Sequence, residues 1–455
     1  MVPDGDAYLL FAPRRGCLLR TDADGVNLLV RIREGQATDE DMGSRQFQAM
    51  LEAGIVDGSP LSDVVTPEGL PYAPTATTLF LTNRCNLACR YCYAGGQAHD
   101  LLLDRRIAKA AINRVVANAR AAREKRFTVG FHGGGEATAA WPELVAAVEY
   151  ASEAAKENGM KVSFGLTTNG CCTEDQMRWI AARFPHLSIS CDGPSDLQDS
   201  NRPRRDGRSS SQTLWRNIQI LDETHCAYSF QCTVTRDMAP RMPEIVRYLC
   251  EHGKPKGIKL EPVSVVGRFA GQSRNVPSYA DFAAFFDESF EVAHAAGVMV
   301  DFPAFRLAGP PQSTFCGTCQ SPFSITPDGL VSACYEACWE GAAHADRLII
   351  GRYDPDTDGF IIDEGRLARL RHRNINNLEN CRDCFCKYAC AGDCPVRNWR
   401  AFEDSHMLDT GARCDLIRAI GKSFLRRLLD GTAITTIPAT TPSADTWNLG
   451  LPKDN

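Results

Sequence analysis

The chain has 455 residues, 44% of them hydrophobic, and a formal net charge of -6. That length allows one large domain with smaller appendages, and the negative charge argues against a broad nucleic-acid-binding face. No apolar stretch approaches the ~20 residues that span a bilayer, so neither nucleic acid nor membrane is an expected partner. The N-terminus, Met1-Val2-Pro3-Asp4-Gly5-Asp6, is acidic where a secretion signal is basic, which predicts a cytoplasmic location. There, thiols stay reduced, so the 20 cysteines are not expected to form disulfides. Their clusters at 85–92, 316–334 and 381–414 point to metal sites instead.

Residues 1–74 read as a small separate module. Segments 8–13 and 17–21 predict a hairpin, 25–34 and 46–53 predict helices, and the Pro-, Gly- and Ser-rich stretch 58–74 predicts a linker. From 75 to 300, short β-branched runs alternate with longer amphipathic ones. Strands are predicted over 78–82, 127–131, 162–167, 187–191, 229–234 and 258–262. Helices are predicted over 104–124, 141–158, 173–184, 210–224, 240–252 and 278–296. Six such units make an α/β fold with a parallel sheet, too few for a closed eight-fold barrel, so a partial TIM-like (β/α)6 barrel is expected. Residues 301–430 are rich in cysteine with little periodicity before a helix near 415–430, and the tail 431–455 reads as disordered.

The run Cys85-Asn86-Leu87-Ala88-Cys89-Arg90-Tyr91-Cys92 follows the first strand. It therefore falls at the C-terminal edge of a parallel sheet, where α/β proteins place active sites. Three thiolates hold three irons of a cubane and leave the fourth open. The alternative is zinc, which prefers four protein ligands in structural sites, and no fourth is evident nearby. The spacing CxxxCxxC, with Tyr91 before its third cysteine, resembles the signature of radical S-adenosylmethionine (SAM) enzymes.

That resemblance implies SAM on the open iron, reductive cleavage to a 5′-deoxyadenosyl radical, and an electron donor such as flavodoxin or ferredoxin. It also implies roles for later motifs. His132-Gly133-Gly134-Gly135-Glu136 resembles the family's GGE motif, with Gly134 and Gly135 allowing close approach and Glu136 accepting from the SAM ammonium. Asn169, in Thr167-Thr168-Asn169-Gly170, and Ser190, before Cys191-Asp192-Gly193, are the implied contacts at the next two strand ends. Asp199 and Arg202 resemble a further Asp-x-x-Arg stretch, with Arg202 set to meet the SAM carboxylate. The basic run 202–208 otherwise reads as a solvated loop.

Cys381-x2-Cys384-x5-Cys390-x3-Cys394, then Cys414, preceded by Cys316, Cys319-x9-Gly329-x4-Cys334, is similar to the SPASM extension of peptide- and protein-modifying members. The resemblance implies two auxiliary [4Fe–4S] clusters, three clusters in all. Cys316, Cys319, Cys334 and Cys394 would hold one, and Cys381, Cys384, Cys390 and Cys414 the other. Cys338 and Cys386 are surplus. Residues 1–74 resemble the small winged-helix domains that bind precursor peptides, which implies a precursor peptide as partner. Sulfatase-maturing members carry Asp after the last cysteine of the Cys-x9-Gly-x4-Cys stretch. Here Tyr335 stands there, followed by Glu336, and these two are the candidate catalytic groups. The function implied is hydrogen abstraction from a peptide, giving a crosslink, an epimer or an oxidised residue. The alternatives are radical oxidation or decarboxylation of a small metabolite such as a sugar, and a non-catalytic iron–sulfur protein.

Overall fold

Alternating side chains set the first element of the fold. In the computed structural model, which describes residues 1–58, 64–95, 100–306, 311–397 and 413–431, the chain opens with an antiparallel sheet. Its strands are β1 (Val2–Asp4), β2 (Ala7–Ala12) and β3 (Cys17–Thr21), with β2 in the centre. Because successive side chains point to opposite faces, Leu10 and Leu19 share one face and Leu9 and Leu18 the other. Three helices follow: α1 (Ala23–Arg33), α2 (Asp39–Gly43) and α3 (Arg45–Glu52). Asp22, Thr38 and Ser44 cap them by accepting from backbone N–H groups of the first turn. Leu10 and Leu19 bury against Leu28, Met50 and Val56.

Chain contacts divide the molecule into two units. One comprises Pro67–Asp301 and Cys316–His372 and contains one sheet. β4 (Ala76–Leu79), β5 (Arg126–Phe131), β6 (Lys161–Thr168), β7 (His186–Ser190), β8 (Ala227–Val234) and β9 (Gly257–Pro262) are the six strands expected, each parallel to its predecessor. The expected helices are α4 (Arg105–Ala121), α5 (Trp141–Glu157), α6 (Glu174–Ala181), α8 (Ser210–Glu223), α9 (Met242–His252) and α10 (Tyr279–Ala295). A short α7 (Ser195–Asn201) lies before α8. In α4, Ala108, Ile112, Val115 and Ala119 are buried, the spacing of a single apolar stripe.

The structure adds to this pattern. A seventh parallel strand, β10 (Met299–Asp301), pairs with β9. On the other side of β4 the sheet continues through β11 (Ser324–Ile325), parallel to β4, and antiparallel β12 (Leu330–Ser332), β13 (Ile349–Asp354) and β14 (Gly359–Ile362). Sequence periodicity misses β10, β11, β12 and β14 because each spans only two to four residues. Two short helices, α11 (Ala345–Leu348) and α12 (Glu364–His372), complete this part.

Parallel strands covered on both faces usually read as continuous apolar runs, but these alternate. Leu79, Val129, Phe131, Leu166, Leu187, Ile189, Phe230, Ile258 and Leu260 are buried. Their neighbours Thr78, Gly130, Gly165, Thr167, Ser188, Ser190, Gln231 and Lys259 share the opposite face, strand to strand, and are half-buried. One face therefore meets the helices and the other is a polar surface.

The second unit comprises Met1–Thr66, Phe302–Phe315 and the residues from Arg373 onward. It holds α13 (Lys387–Cys390) and α14 (Cys414–Leu429), the latter close to the helix expected at 415–430. Val2, Leu9 and Leu18 form one core with Leu425, Leu428 and Leu429 of α14. Among the described residues no helix is long and apolar enough to cross a membrane; the tail 432–455 lies outside them.

Candidate active site

The loop bearing Cys85, Cys89 and Cys92 follows β4, and neighbouring chain segments fix its path. Ala88 N donates to Pro203 O (2.8 Å), Arg90 N to Asn201 O (2.9 Å), Arg205 N to Asn86 O (3.0 Å) and Arg268 N to Cys92 O (3.0 Å). All three thiols are half-buried and free. Burial is the main reason that Cys85 is pushed up to about 12 and Cys89 to about 11, so metal capture here must release protons. Among the described residues no three His, Cys, Asp or Glu side chains gather as a single ion would require. The thiolates of a cubane need not gather so, since each takes a different iron.

The glycine turn after β5 presses directly on this loop. Gly135 N donates to Thr82 O (2.8 Å) and Glu136 N to Arg84 O (2.8 Å). A Cβ on Gly135 would fall 1.9 Å from Arg84 O, and Gly134 sits at φ +66 with Thr82 O 2.8 Å from its would-be Cβ. The sequence reading assigns these glycines to close approach by a ligand; the approach seen is that of the cysteine loop itself.

Glu136 is 4% exposed. Its Oε1 accepts from Thr138 N (3.2 Å), Thr138 Oγ1 (3.0 Å) and Thr168 Oγ1 (2.7 Å), and its Oε2 accepts from Asn169 N (2.8 Å). A carboxylate offers about four lone-pair sites, two on each oxygen, so Oε2 keeps acceptor capacity for a further donor. Burial pushes the Glu136 carboxyl up, and these donors pull it part of the way back. A cation at Oε2 would favour its ionised form.

Asn169 turns its amide toward the same loop. Its Nδ2 donates to Asn86 Oδ1 (2.8 Å) and approaches Cys85 Sγ (3.8 Å), while its Oδ1 accepts from Cys171 N (2.8 Å). Ser190 ends β7 on the polar face, beside Gln231. Asp199 accepts from Ser209 Oγ (2.8 Å), Ser210 Oγ (2.9 Å) and Ser211 N (2.7 Å) at the start of α8.

Tyr91 and Arg202 converge on Asp192, a residue that the sequence reading did not single out. Tyr91 Oη donates to Asp192 Oδ2, Arg202 Nε lies 3.2 Å from Asp192 Oδ1, and the guanidinium sits 5.2 Å from the Tyr91 ring centroid. Burial raises Asp192, with Arg202 opposing it. Arg202, assigned by resemblance to the SAM carboxylate, thus already has a carboxylate of its own. The signal was present in the sequence as an acid directly after the fourth strand. Asp192→Asn should destabilise the fold by about 3–5 kcal/mol, since it strands a buried guanidinium. Chemical denaturation checks this, and an unchanged midpoint would refute the pairing.

Tyr335 meets His132 edge to face at 4.4 Å between centroids and Phe80 at 5.8 Å, and its Oη is 3.5 Å from Thr78 Oγ1. Tyr93 reaches His132 at 6.5 Å. Burial pushes His132 down to about 4, leaving it neutral at pH 7. Tyr335 is 41% exposed, so an aromatic group with an accessible edge stands beside the polar face of β4 and β5.

The cysteines of the C-terminal motifs are divided between the two units. Cys316, Cys319 and Cys334 belong to the unit with the large sheet, and Cys394 to the other. Within the second unit, Cys381, Cys384, Cys386, Cys390 and Cys414 line one small cavity with Lys387 and Arg418. Side-chain hydrogen bonding from Cys386, with Arg418 nearby, brings Cys384 down to about 5, a value suited to a thiolate ligand. Between Cys390 and Cys394 the backbone takes positive φ at Ala391 (52°), Gly392 (84°) and Asp393 (56°). Buried Arg373 holds that run by donating to Gly392 O (2.6 Å) and Asp393 O (3.0 Å).

The chain is similar to several known proteins. The family model described as the Radical SAM superfamily matches residues 79–249. The serine-type anaerobic sulfatase-maturating enzyme of Klebsiella aerogenes is 25% identical over 339 residues, covering 69% of this chain and 77% of that enzyme. The fold resembles native anSMEcpe with bound AdoMet and Cp18Cys peptide, with a TM-score of 0.61 at 19% identity, over 79% of this chain and 99% of that one. It also resembles Streptococcus suis SuiB bound to precursor peptide SuiA, with a TM-score of 0.53 at 13% identity, over 91% and 99%. SAM and a [4Fe–4S] cluster are the cofactors of the matched family, and Cys85, Cys89, Cys92 and Glu136 have the chemistry to hold them. Residues 79–249 thus carry a radical SAM domain, and the chain is an enzyme with homology to the anaerobic sulfatase-maturating enzymes.

Proposed function

We propose that this enzyme modifies a ribosomally made peptide and carries three [4Fe–4S] clusters. Cys85, Cys89 and Cys92 hold the catalytic one, with SAM received by Glu136 and bordered by Gly134, Gly135, Asn169 and Ser190. Asp192, Tyr91 and Arg202 brace the loop. Cys316, Cys319, Cys334 and Cys394 hold one auxiliary cluster, and Cys381, Cys384, Cys390 and Cys414 the other. With every iron ligated, neither auxiliary site offers a place for substrate, which suits both to moving an electron. The bound cofactors supply a 5′-deoxyadenosyl radical that takes a hydrogen atom from the substrate. The protein's own task is to position the peptide and keep water out.

The observation that carries the peptide reading is the polar sheet face. Gly130 and Gly165 pair in its middle, and a side chain on Gly165 would meet nothing within 4 Å. This leaves room for an extended chain beside Thr78, Ser188, Ser190 and Gln231. Both similar solved structures were determined with a peptide bound. Tyr335 replaces the Asp of sulfatase maturation and borders this space. We assign it, with Glu336, to the substrate side, where it takes up a proton or relays a radical. In the second unit, β1 carries Pro3, which cannot donate along an edge. β3 is then the edge open to a leader peptide by strand addition.

The test is mass spectrometry of short peptides encoded beside this gene, each co-expressed with the enzyme. The expected result is a shift in one of them that requires Cys85. Unmodified peptides from an enzyme that still releases 5′-deoxyadenosine would overturn the peptide reading in favour of a small metabolite.

A further inference from the structure

The basic run 202–208 does more than the catalytic site requires. Arg202 is buried against Asp192, but Arg205 and Arg208 are exposed and Arg204 is half-buried. The segment is joined to the cysteine loop by backbone bonds from Ala88 to Pro203, Arg90 to Asn201 and Arg205 to Asn86. Arg205 Nε adds a bond to Cys85 O (3.0 Å). Within the loop, Arg90 is exposed next to inward-facing Tyr91, and among the described residues no carboxylate pairs with it. Arg204 and Arg208 share Asp206 at 2.5 and 2.7 Å, the only acid in the run.

Three exposed arginines, Arg90, Arg205 and Arg208, thus lie on the loop that carries the catalytic thiols and on the segment bonded to it, while Arg204 is tied to Asp206, on a chain whose net charge is -6. Exposed ion pairs of this kind contribute little to stability, so fold stability does not explain the excess. Its position does suit electron delivery. From that side exposed Arg205 reaches the carbonyl of Cys85 itself. Guanidinium groups also match carboxylates in geometry as well as charge.

We propose that Arg90, Arg205 and Arg208 form the docking surface for a small acidic one-electron carrier protein. This rests on the assignment of the catalytic cluster to Cys85, Cys89 and Cys92. In the step served, the carrier is oxidised by one electron, the [4Fe–4S] centre is reduced by one, and no bond is made or broken. Opposite charges steer such encounters, raising the association rate in a salt-dependent way.

The test uses holoenzyme with SAM and the double variant Arg90→Glu/Arg208→Glu, whose side chains lie outside the catalytic machinery. Reduced flavodoxin and dithionite are compared as reductants. The readout is the rapid-freeze electron paramagnetic resonance signal that changes when SAM is added. At low salt, the variant should be reduced by flavodoxin at least tenfold more slowly than the parent, and its rate should lose most of its salt dependence. Reduction by dithionite should be unchanged, and Arg90→Lys/Arg208→Lys should recover most of the flavodoxin rate. An undiminished flavodoxin rate would overturn the proposal, as would an equal loss with dithionite, which would mean that the loop itself had been damaged. Failure of the parent to release 5′-deoxyadenosine with dithionite would instead defeat the underlying cluster assignment.

Discussion

Changing Cys85, Cys89 and Cys92 together to alanine should abolish 5′-deoxyadenosine release and lower the iron content from about twelve to about eight per chain, one cubane of four. The loss should be complete because no other described cysteine lies on this loop, and Cys171, which donates toward Ser210 O, is engaged elsewhere. Iron and sulfide analysis after anaerobic reconstitution measures the first quantity, and chromatography of the SAM cleavage products the second. Residual 5′-deoxyadenosine from the triple variant, or stoichiometric zinc without sulfide in the parent, would contradict the assignment.

The other large effect is expected far from those cysteines in sequence. Leu9 and Leu18 are fully buried, and both belong to the core formed with Leu425, Leu428 and Leu429. Leu9→Ala or Leu18→Ala should each cost about 2–5 kcal/mol, because a cavity is left where the facing helix cannot fully collapse. The double variant should cost less than the sum, as the two share neighbours. Since α14 begins at Cys414, the double variant should also lose iron from the Cys381, Cys384, Cys390 and Cys414 set. 5′-deoxyadenosine release should persist. Thermal unfolding and iron analysis together check this, and an unchanged unfolding transition would show that the shared core contributes nothing. Removing residues 1–74 outright is therefore an ambiguous test of leader binding, since it strips the apolar cover from α14 as well.

The parts of this molecule legible in the sequence are those set by local pattern. The six expected strands and their helices follow from alternating and 3.6-residue periods. Other features depend on what lies across the fold. Asp192 is ordinary in sequence and becomes a buried hub only when Tyr91 and Arg202 reach it from two other segments. The two-residue strand β11 is defined entirely by its neighbours β4 and β12. For the Gly134-Gly135 pair, sequence announces that something comes close, but only the packed structure identifies it as the carbonyls of Thr82 and Arg84.

The shared core also bears on how the chain is made. Asp4 and Arg426, joined by a hydrogen bond, are 422 residues apart in sequence. At roughly 5–20 residues per second, the strand bearing Leu18 waits on the order of 20–80 s after leaving the ribosome before the helix that completes its core is synthesised. Until then Val2, Leu9 and Leu18 have no apolar cover from α14, on a sheet of only three strands. Such a sheet is a target for chaperones and for pairing with a second nascent chain. Overexpression would lengthen the time that many such chains spend side by side. Slower synthesis at lower temperature, with matched chaperone supply, should raise the recovered yield more for this protein than for one whose N-terminal module closes on itself.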